Sequence, residues 1–537
     1  MTLGGLQIKL PFAMQKDFIY RWGIIPLWLL LTTTVFFRQP LPVDETRYLS
    51  VAWEMWLRHD FWVPYFNGQA YSHKPPLLFW LFQLGWAVFG VNDWWPKLVG
   101  PFAALVNLLL TRKLAQMLWP EQTAIALIAP WILIATLLWT LFATAAMFDI
   151  LLTCFVLIGM LGLLVLAHGV WGKGLVYLGL AIGFGLLTKG PVIFLHLLPV
   201  VVLARFWMDQ KAPGVWYGYL LLAAVIGIVI ALFWAIPAAI YGGDSYANAI
   251  FWKQIADRTI ATDIHVRPFF WYLCFLPLVL FPWFYWPRFW QSLWNCRIAE
   301  DSGLRFCLIW LLIGFLLFSS LASKQIHYLI PLLPAFALLA ARVLDNNVTL
   351  PVRVHSDLLP PIVFALLGVF LVLLPQVPGL SRLNWVQTVE PGWGLAVLAI
   401  AMVLAKTVLF AGRLSIATMS AALVLAVFVG FICFFQYTGL AFDLRPAALK
   451  LKAFNEQGIP CAFVGTYQGQ LHFLGRLTQP LPILSLEQVG DWFKAHPDGY
   501  LISLEKHKPA AVAYLQAHRE YWLVFRNLQQ QTPFSPL

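Results

Sequence analysis

From one end of this chain to the other, apolar runs of about 18 or more residues recur, each long enough to cross a hydrocarbon core of roughly 30 Å. In lipid such runs must satisfy their own backbone hydrogen bonds, which leaves helices or closed barrels. Barrel strands would alternate polar and apolar residues, and these runs do not. The chain is therefore expected to be an α-helical polytopic membrane protein. Its composition agrees, with 61% hydrophobic and 11% charged residues among 537, where soluble domains are about a quarter charged. The net charge of +11 comes without a dense Lys/Arg block, so it points to membrane orientation and headgroup contacts and not to nucleic acid. Six scattered cysteines show no metal-ligand spacing and no disulfide framework. Lys9, Lys16 and Arg21 precede the first apolar run without a small-residue cleavage site, as in a retained signal anchor.

Spans are expected at residues 22–37, 98–118, 121–140, 149–168, 174–188, 190–207, 215–240, 269–287, 303–321, 326–343, 358–375, 392–411 and 415–437, about thirteen in all. The apolar stretch 75–90 is short for a span and is read as lying in or dipping into the interface. Charge supports that choice. If 75–90 does not span, then Arg112, Lys113, Lys173, Arg205, Lys211, Arg288, Arg297, Arg342, Arg353 and Arg413 all share one side, the cytoplasm by the positive-inside rule. The turns bearing Asp44, Lys74, Asp149, Lys189 and Lys324, with the loop 241–268, then meet at the opposite surface. The implied organisation is a cytoplasmic segment 1–21, a membrane region 22–438 with outer loops 38–97 and 241–268, and an outer domain 439–537. That last domain reads as small, soluble and α/β, strand-like at 461–465, 500–504 and 521–525 and helical at 486–496 and 509–518.

Residues 41–76 concentrate charge at a membrane edge, with Asp44, Glu45, Arg47, Tyr48, His73 and Lys74 among them. Adjacent carboxylates followed by Lys-Pro suit a site for an anionic, lipid-borne substrate, and they also suit a plain solvated loop. Asp149 opens an apolar helix behind the small-residue run ATAA, either as a helix cap or as a site residue that another segment can approach. Lys189 and Lys324 sit at helix ends, where lysines snorkel to headgroups. Lys324, His327 and Tyr328 are clustered ahead of Pro331 and Pro334, which favours function. Residues 241–260 read as an interfacial amphipathic helix, Phe251, Trp252 and Ile255 towards lipid and Lys253, Asp257 and Arg258 towards water. The 27 tryptophans fit aromatic belts. No phosphate-cradling glycine loop, zinc motif or nucleophile elbow is found, so no cofactor or metal is expected.

Taken in order, DETRY (44–48), EM (54–55), FWVPYFNG (61–68), KPP (74–76), FD (148–149), TKG (188–190) and the Lys324–Tyr328–Pro331–Pro334 spacing resemble the GT-C glycosyltransferases. The resemblance is to the bacterial branch, the lipid A aminoarabinose transferases and their relatives among protein O-mannosyltransferases. It implies a thirteen-span fold with a periplasmic domain in a bacterial inner membrane. It also implies a polyprenyl-phosphate-linked sugar donor and a lipid A, glycolipid or protein acceptor. Asp44 and Asp149 would be the acidic residues of the catalytic centre, with Glu45, Arg47 and Tyr48 orienting the first. Lys74, Arg258 and Tyr328 would grip the carrier phosphate, with Lys189, Lys324 and His327 as further substrate contacts. His73 departs from the acid that often precedes this lysine in the aminoarabinose enzymes, which leaves the sugar open. A transporter or flippase is the rival class, but it should carry ionisable residues near the midplane of broken helices in related halves.

Overall fold

A computed structural model describes the chain apart from residues 1–17, 211, 254–265, 347–356, 384, 409–412, 438–441, 510–511, 520 and 529–537. Among the described residues nine helices are long and apolar enough to cross a membrane, and the chain is a multi-pass membrane protein. Along the chain run α1 (Phe18–Phe36), α2 (Asp44–Arg58), a hairpin of β1 (Tyr65–Phe66) and β2 (Gln69–Ala70), α3 (Leu77–Phe89) and α4 (Trp94–Leu118). Then come α5 (Thr123–Ile134), α6 (Phe148–Ala167), α7 (Trp171–Lys189), α8 (Val192–Val202), α9 (Gly214–Phe251) and α10 (Trp271–Val279). The last of the membrane set are α11 (Ser302–Ser320), α12 (Ile326–Asp345), α13 (Leu359–Gln376), α14 (Pro391–Thr407) and α15 (Ser415–Gln436).

Each of the thirteen expected spans meets one of these helices, but four are shorter than a full crossing or broken. The stretch 121–140 divides into α5 and Leu137–Phe142, because Ala135 and Thr136 leave the helical conformation. The stretch 269–287 yields the nine-residue α10 and then, after Pro282, which cannot donate to a helical ladder, a 3-10 turn at Trp283–Tyr285, while Pro287 opens a separate short helix to Trp294. The segment 75–90 forms the 13-residue α3, short as expected. Residues 241–251 continue α9 past a kink at Gly243, whose φ of 75° a side chain would resist. A π-helical turn, Ala249–Lys253, ends it, and residues 254–260 of that expected interfacial helix, Arg258 included, lie outside the described residues.

At the bundle centre stands α6, with 83% of its most apolar window buried. Small residues let its neighbours close in: a Cβ on Gly162 would lie 2.9 Å from the Leu178 nitrogen on α7. Likewise α4 crosses the ATAA run so closely that a Cβ on Gly100 would lie 2.3 Å from the Ala145 carbonyl oxygen. The small residues at 143–146 thus admit a neighbouring segment, as their size suggested.

Beyond the membrane helices, α16 (Arg445–Glu456) leads into β3 (Cys461–Val464), β4 (Ile483–Leu484), α17 (Val489–Ala495), β5 (Tyr500–Glu505), β6 (Tyr514–His518) and β7 (Tyr521–Arg526). The sheet order is β4-β3-β5-β7-β6, with β3 parallel to β4 and β5, and β7 antiparallel to β5 and β6. Strands stand at 461–464, 500–505 and 521–526, where β-branched and aromatic residues foretold them. The helix expected over 509–518 is a correction: Tyr514–His518 is a strand. Its alanines and leucine read as a helix former, yet it folds back on β7 through Arg519 at φ 55°, and the cross-strand pairs outweigh propensity. Side chains fill both sheet faces, Phe463, Ile502, Leu523 and Phe525 against α16 residues on one and Ala462, Leu501 and Phe493 on the other.

Candidate functional site

The helix α2 is built for an edge. Asp44 and Glu45 occupy its first turn and Arg58 its last, the arrangement that complements a helix dipole. His59 closes it in the left-handed conformation at φ 54°. One side of α2 turns to α6. There the Tyr48 ring meets Phe148 edge-on at 4.9 Å, and the Tyr48 hydroxyl donates to Asp44 Oδ1 at 3.2 Å. Arg47 Nη2 donates to the same oxygen at 2.5 Å. Asp44 keeps 38% of its side chain exposed, so its carboxylate is oriented but reachable. Burial and the neighbouring Asp44 charge lift the Tyr48 phenol well above its ordinary range, and burial pushes Tyr71 nearby to about 12. Both phenols are therefore donors at neutral pH.

Asp149 lies in the first turn of α6 and is 2% exposed. Lys189, the last residue of α7, donates to Asp149 Oδ1 at 2.5 Å, and His327 Nε2 stands 3.9 Å from Oδ2. The Lys189 ammonium also lies 4.4 Å from the centre of the Tyr328 ring, and the Lys74 ammonium 5.6 Å from that of Phe148. A carboxylate in so dry a place needs such partners. Phe148 is the hinge of the arrangement: it precedes Asp149, touches Tyr48, and lies under Lys74. Asp44, Arg47, Tyr48, Lys74, Asp149, Lys189, His327 and Tyr328 are thus linked into one cluster at one end of the bundle.

Glu45 and Lys324 take their hydrogen-bond partners from outside this cluster. Glu45 is 2% exposed and its carboxylate is fully engaged. Oε2 accepts from Arg38 Nη1 at 2.5 Å and the Leu41 nitrogen at 2.7 Å, and Oε1 accepts from Arg38 Nη2 at 2.9 Å and the Ala146 nitrogen at 2.6 Å. Burial opposes ionisation, but Arg38 and these bonds hold its pKa below the usual carboxylate range. Arg38 also donates to the Thr144 carbonyl at 2.8 Å. The pair therefore ties the segment carrying Asp44 to the loop that delivers Asp149, a positioning role. Lys324 sends its ammonium to the carbonyls of Arg267, at 2.9 Å, and Leu321, bracing a turn outside the cluster.

Sequence reasoning missed Arg38, a lone cation closing the first apolar run, and every residue of the α/β unit that touches this site. The far side of α2 is covered by that unit. Ser50 Oγ donates to the Gly469 carbonyl at 2.6 Å, Trp53 Nε1 to that of Leu477 at 2.8 Å, and Arg47 Nη1 to Gln468 Oε1 at 3.0 Å. Asp93 takes both Arg445 and Arg476, the latter at 2.5 Å. Among the described residues no group of three or more His, Cys, Asp or Glu side chains could hold a metal ion.

No protein-family model matches the chain. It is 29% identical over 341 residues to the undecaprenyl phosphate-alpha-4-amino-4-deoxy-L-arabinose arabinosyl transferase of Enterobacter sp. (strain 638), covering 60% of each chain. To the enzyme of that name from Pseudomonas aeruginosa (strain LESB58) it is 30% identical over 323 residues, 57% of this chain and 56% of the relative. The chain thus matches under two thirds of these relatives' length. In three dimensions it superposes on ArnT of Cupriavidus metallidurans bound to undecaprenyl phosphate with a TM-score of 0.72 at 19% identity, over 97% of this chain and all of that one. The apo form of that protein gives 0.73, again at 19% identity, over 98% of this chain and all of the other. The fold is that of ArnT, and the motif-based resemblance to the aminoarabinose transferases is borne out.

Proposed function

We propose that the chain is an integral membrane glycosyltransferase. It moves a sugar from a polyprenyl-phosphate carrier to an acceptor at the outer face of a bacterial inner membrane, lipid A or another glycolipid. Proteins of similar sequence are named for transfer from undecaprenyl phosphate, and the structure sharing this fold binds that carrier. The observation that carries the reading is the juxtaposition of a reachable carboxylate, Asp44, with a second, buried one, Asp149, and the cations Lys74 and Lys189 at one end of the bundle. That is the charge arrangement a displacement at a sugar carbon from a phosphate demands.

In this reading an acceptor oxygen attacks the anomeric carbon from the side opposite the phosphate. The carbon–oxygen bond to the carrier breaks, and its electrons leave on the phosphate. Lys74, with Arg258 and the Tyr328 hydroxyl, stabilises the departing dianion. Asp44, oriented through Oδ1 by Arg47 and Tyr48, takes the proton of a hydroxyl acceptor. If the acceptor is a phosphate, no proton is removed, and Asp44 instead stabilises positive charge at the sugar carbon. Asp149, neutralised by Lys189, completes the floor of the site. The segments 1–21, 22–438 and 439–537 are assigned to the cytoplasm, the membrane and the periplasm.

Mass spectrometry of lipid A, of the other membrane glycolipids and of secreted proteins, from cells with and without the gene, tests the reading. A hexose- or pentose-sized mass on lipid A that disappears with the gene supports it. A loss confined to protein glycans assigns the acceptor to protein, and no change in any glycan rejects glycosyl transfer.

A further inference from the structure

Asp149 takes its close charged partners, Lys189 and His327, from membrane helices, whereas the Asp44 half of the site also draws on the α/β unit. Arg47 lies between Asp44 and the loop that follows β3. One of its nitrogens donates to Asp44 Oδ1 at 2.5 Å, and the other to Gln468 Oε1 at 3.0 Å. Its Nε is buried and has no hydrogen-bond partner, and the guanidinium carbon lies 5.6 Å from the centre of the Tyr48 ring. The Gln468 contact is the one side-chain bond that Arg47 takes from the α/β unit among the described residues. The loop itself is closely packed. Gly469 adopts φ 72°, and a Cβ there would lie 2.6 Å from Phe66 and 2.8 Å from Ser50 Oγ. Ser50 Oγ grips its carbonyl, and Tyr467 stacks on Phe66 at 6.3 Å between centres. The Gln468 backbone nitrogen donates to Gln470 Oε1 at 2.7 Å, which pins the residue from below.

We infer that Gln468 of the C-terminal α/β unit is a positioning residue for the transfer reaction: it fixes Arg47, and through Arg47 the carboxylate of Asp44. The unit then completes the site from outside the membrane and is more than an appendage. This rests on the reading of Asp44 as the group that works on the acceptor. The positioning is specific to an acceptor atom. A lysine or methionine at 468 could fill the space but could not receive the Arg47 N–H.

The test is kinetic and structural, on the full-length protein in detergent or nanodiscs with an undecaprenyl-phosphate-linked sugar. Gln468→Met should lower kcat about tenfold or more, the usual effect of losing a hydrogen bond to a charged group, with KM for the donor little changed. Gln468→Glu keeps the acceptor and should restore kcat to within about threefold of the parent. In an Arg47→Lys background, Gln468→Met should add little, because its effect runs through the guanidinium. An unchanged kcat in Gln468→Met, or a loss of the same size in both backgrounds, overturns the inference. Wild-type protein that transfers nothing from any polyprenyl-phosphate sugar rejects the reading of the site instead. The inference is then decided by a structure of Gln468→Met: a lengthened Arg47–Asp44 contact supports it, and an unaltered one overturns it.

Discussion

Replacing Glu45 by glutamine keeps the shape of the side chain and removes half of what it does. Each Glu45 oxygen accepts two hydrogen bonds, one from Arg38 and one from a backbone nitrogen. A glutamine amide offers a single acceptor oxygen, and its NH2 group would point donors at two N–H groups. One bond to a charged group, typically about 1.5–3 kcal/mol, is lost. One backbone N–H is left unsatisfied in a dry place, typically about 1–3 kcal/mol. The sum agrees with the roughly 3–5 kcal/mol usual for breaking a buried ion pair from one side. Tryptophan fluorescence during heating in detergent reads this as a clearly lowered unfolding midpoint, while Lys494→Ala, in an exposed pair with Asp491, should leave the midpoint unmoved. The double variant Arg38→Met/Glu45→Met should fall between, since the buried charge has gone but the Leu41 and Ala146 N–H groups stay unpaired. The pH dependence has a definite sign. Because the folded pKa is depressed, the contribution is complete above the ordinary glutamate range, about 4.3, and is lost as pH falls through the lower folded value. A Glu45→Gln protein with parental midpoint and parental activity would refute this reasoning.

Other outcomes follow from the same geometry. Lys189→Met strands the Asp149 carboxylate in a 2% exposed position, so it should abolish transfer and lower yield. The pair Lys189→Met/Asp149→Leu should recover yield but not activity, read by size-exclusion recovery and a transfer assay. Lys74→Ala should weaken donor use about 10- to 150-fold, and Lys74→Arg should rescue it only in part, as a donor titration would show. Asp93→Asn weakens the clamp by Arg445 and Arg476, so limited proteolysis should release the α/β unit faster than from the parent. In the parent, where both arginines overcome burial and depress the Asp93 pKa, that protection should persist above the ordinary aspartate range and fade as pH drops through the lower folded value.

Much of this was legible in the sequence because membranes impose strong local rules. Apolar run length located the helices, and small residues at 143–146 marked a close approach that the structure contains at Gly100. The candidate residues Asp44, Lys74, Asp149, Lys189, His327 and Tyr328 were visible because charge at a membrane edge stands out against an apolar background. What could not be read was pairing at long range. Nothing local says that Glu45 meets the Ala146 nitrogen across 101 positions, or that Lys189 reaches Asp149 across 40. Proline-broken stretches such as 269–287 kept the apolar signature of a span while their helix stopped short of a full crossing. The 514–518 strand failed for a related reason: a hairpin partner outweighed local propensity. The contact of Gln468 with Arg47 spans 421 positions, between a soluble-looking segment and a membrane-edge helix, and no spacing rule reaches that far.

In the proposed reaction Asp44 acts in the transition state as the acceptor takes a sugar from a lipid phosphate. Single-turnover transfer from a radiolabelled undecaprenyl-phosphate sugar to lipid A by purified Asp44→Asn protein, alongside direct binding of undecaprenyl phosphate to it, tests that claim most directly. Parental carrier binding with transfer lowered about a hundredfold or more is the expected result for a group acting on the transition state. Parental transfer by Asp44→Asn, with carrier binding intact, would contradict it.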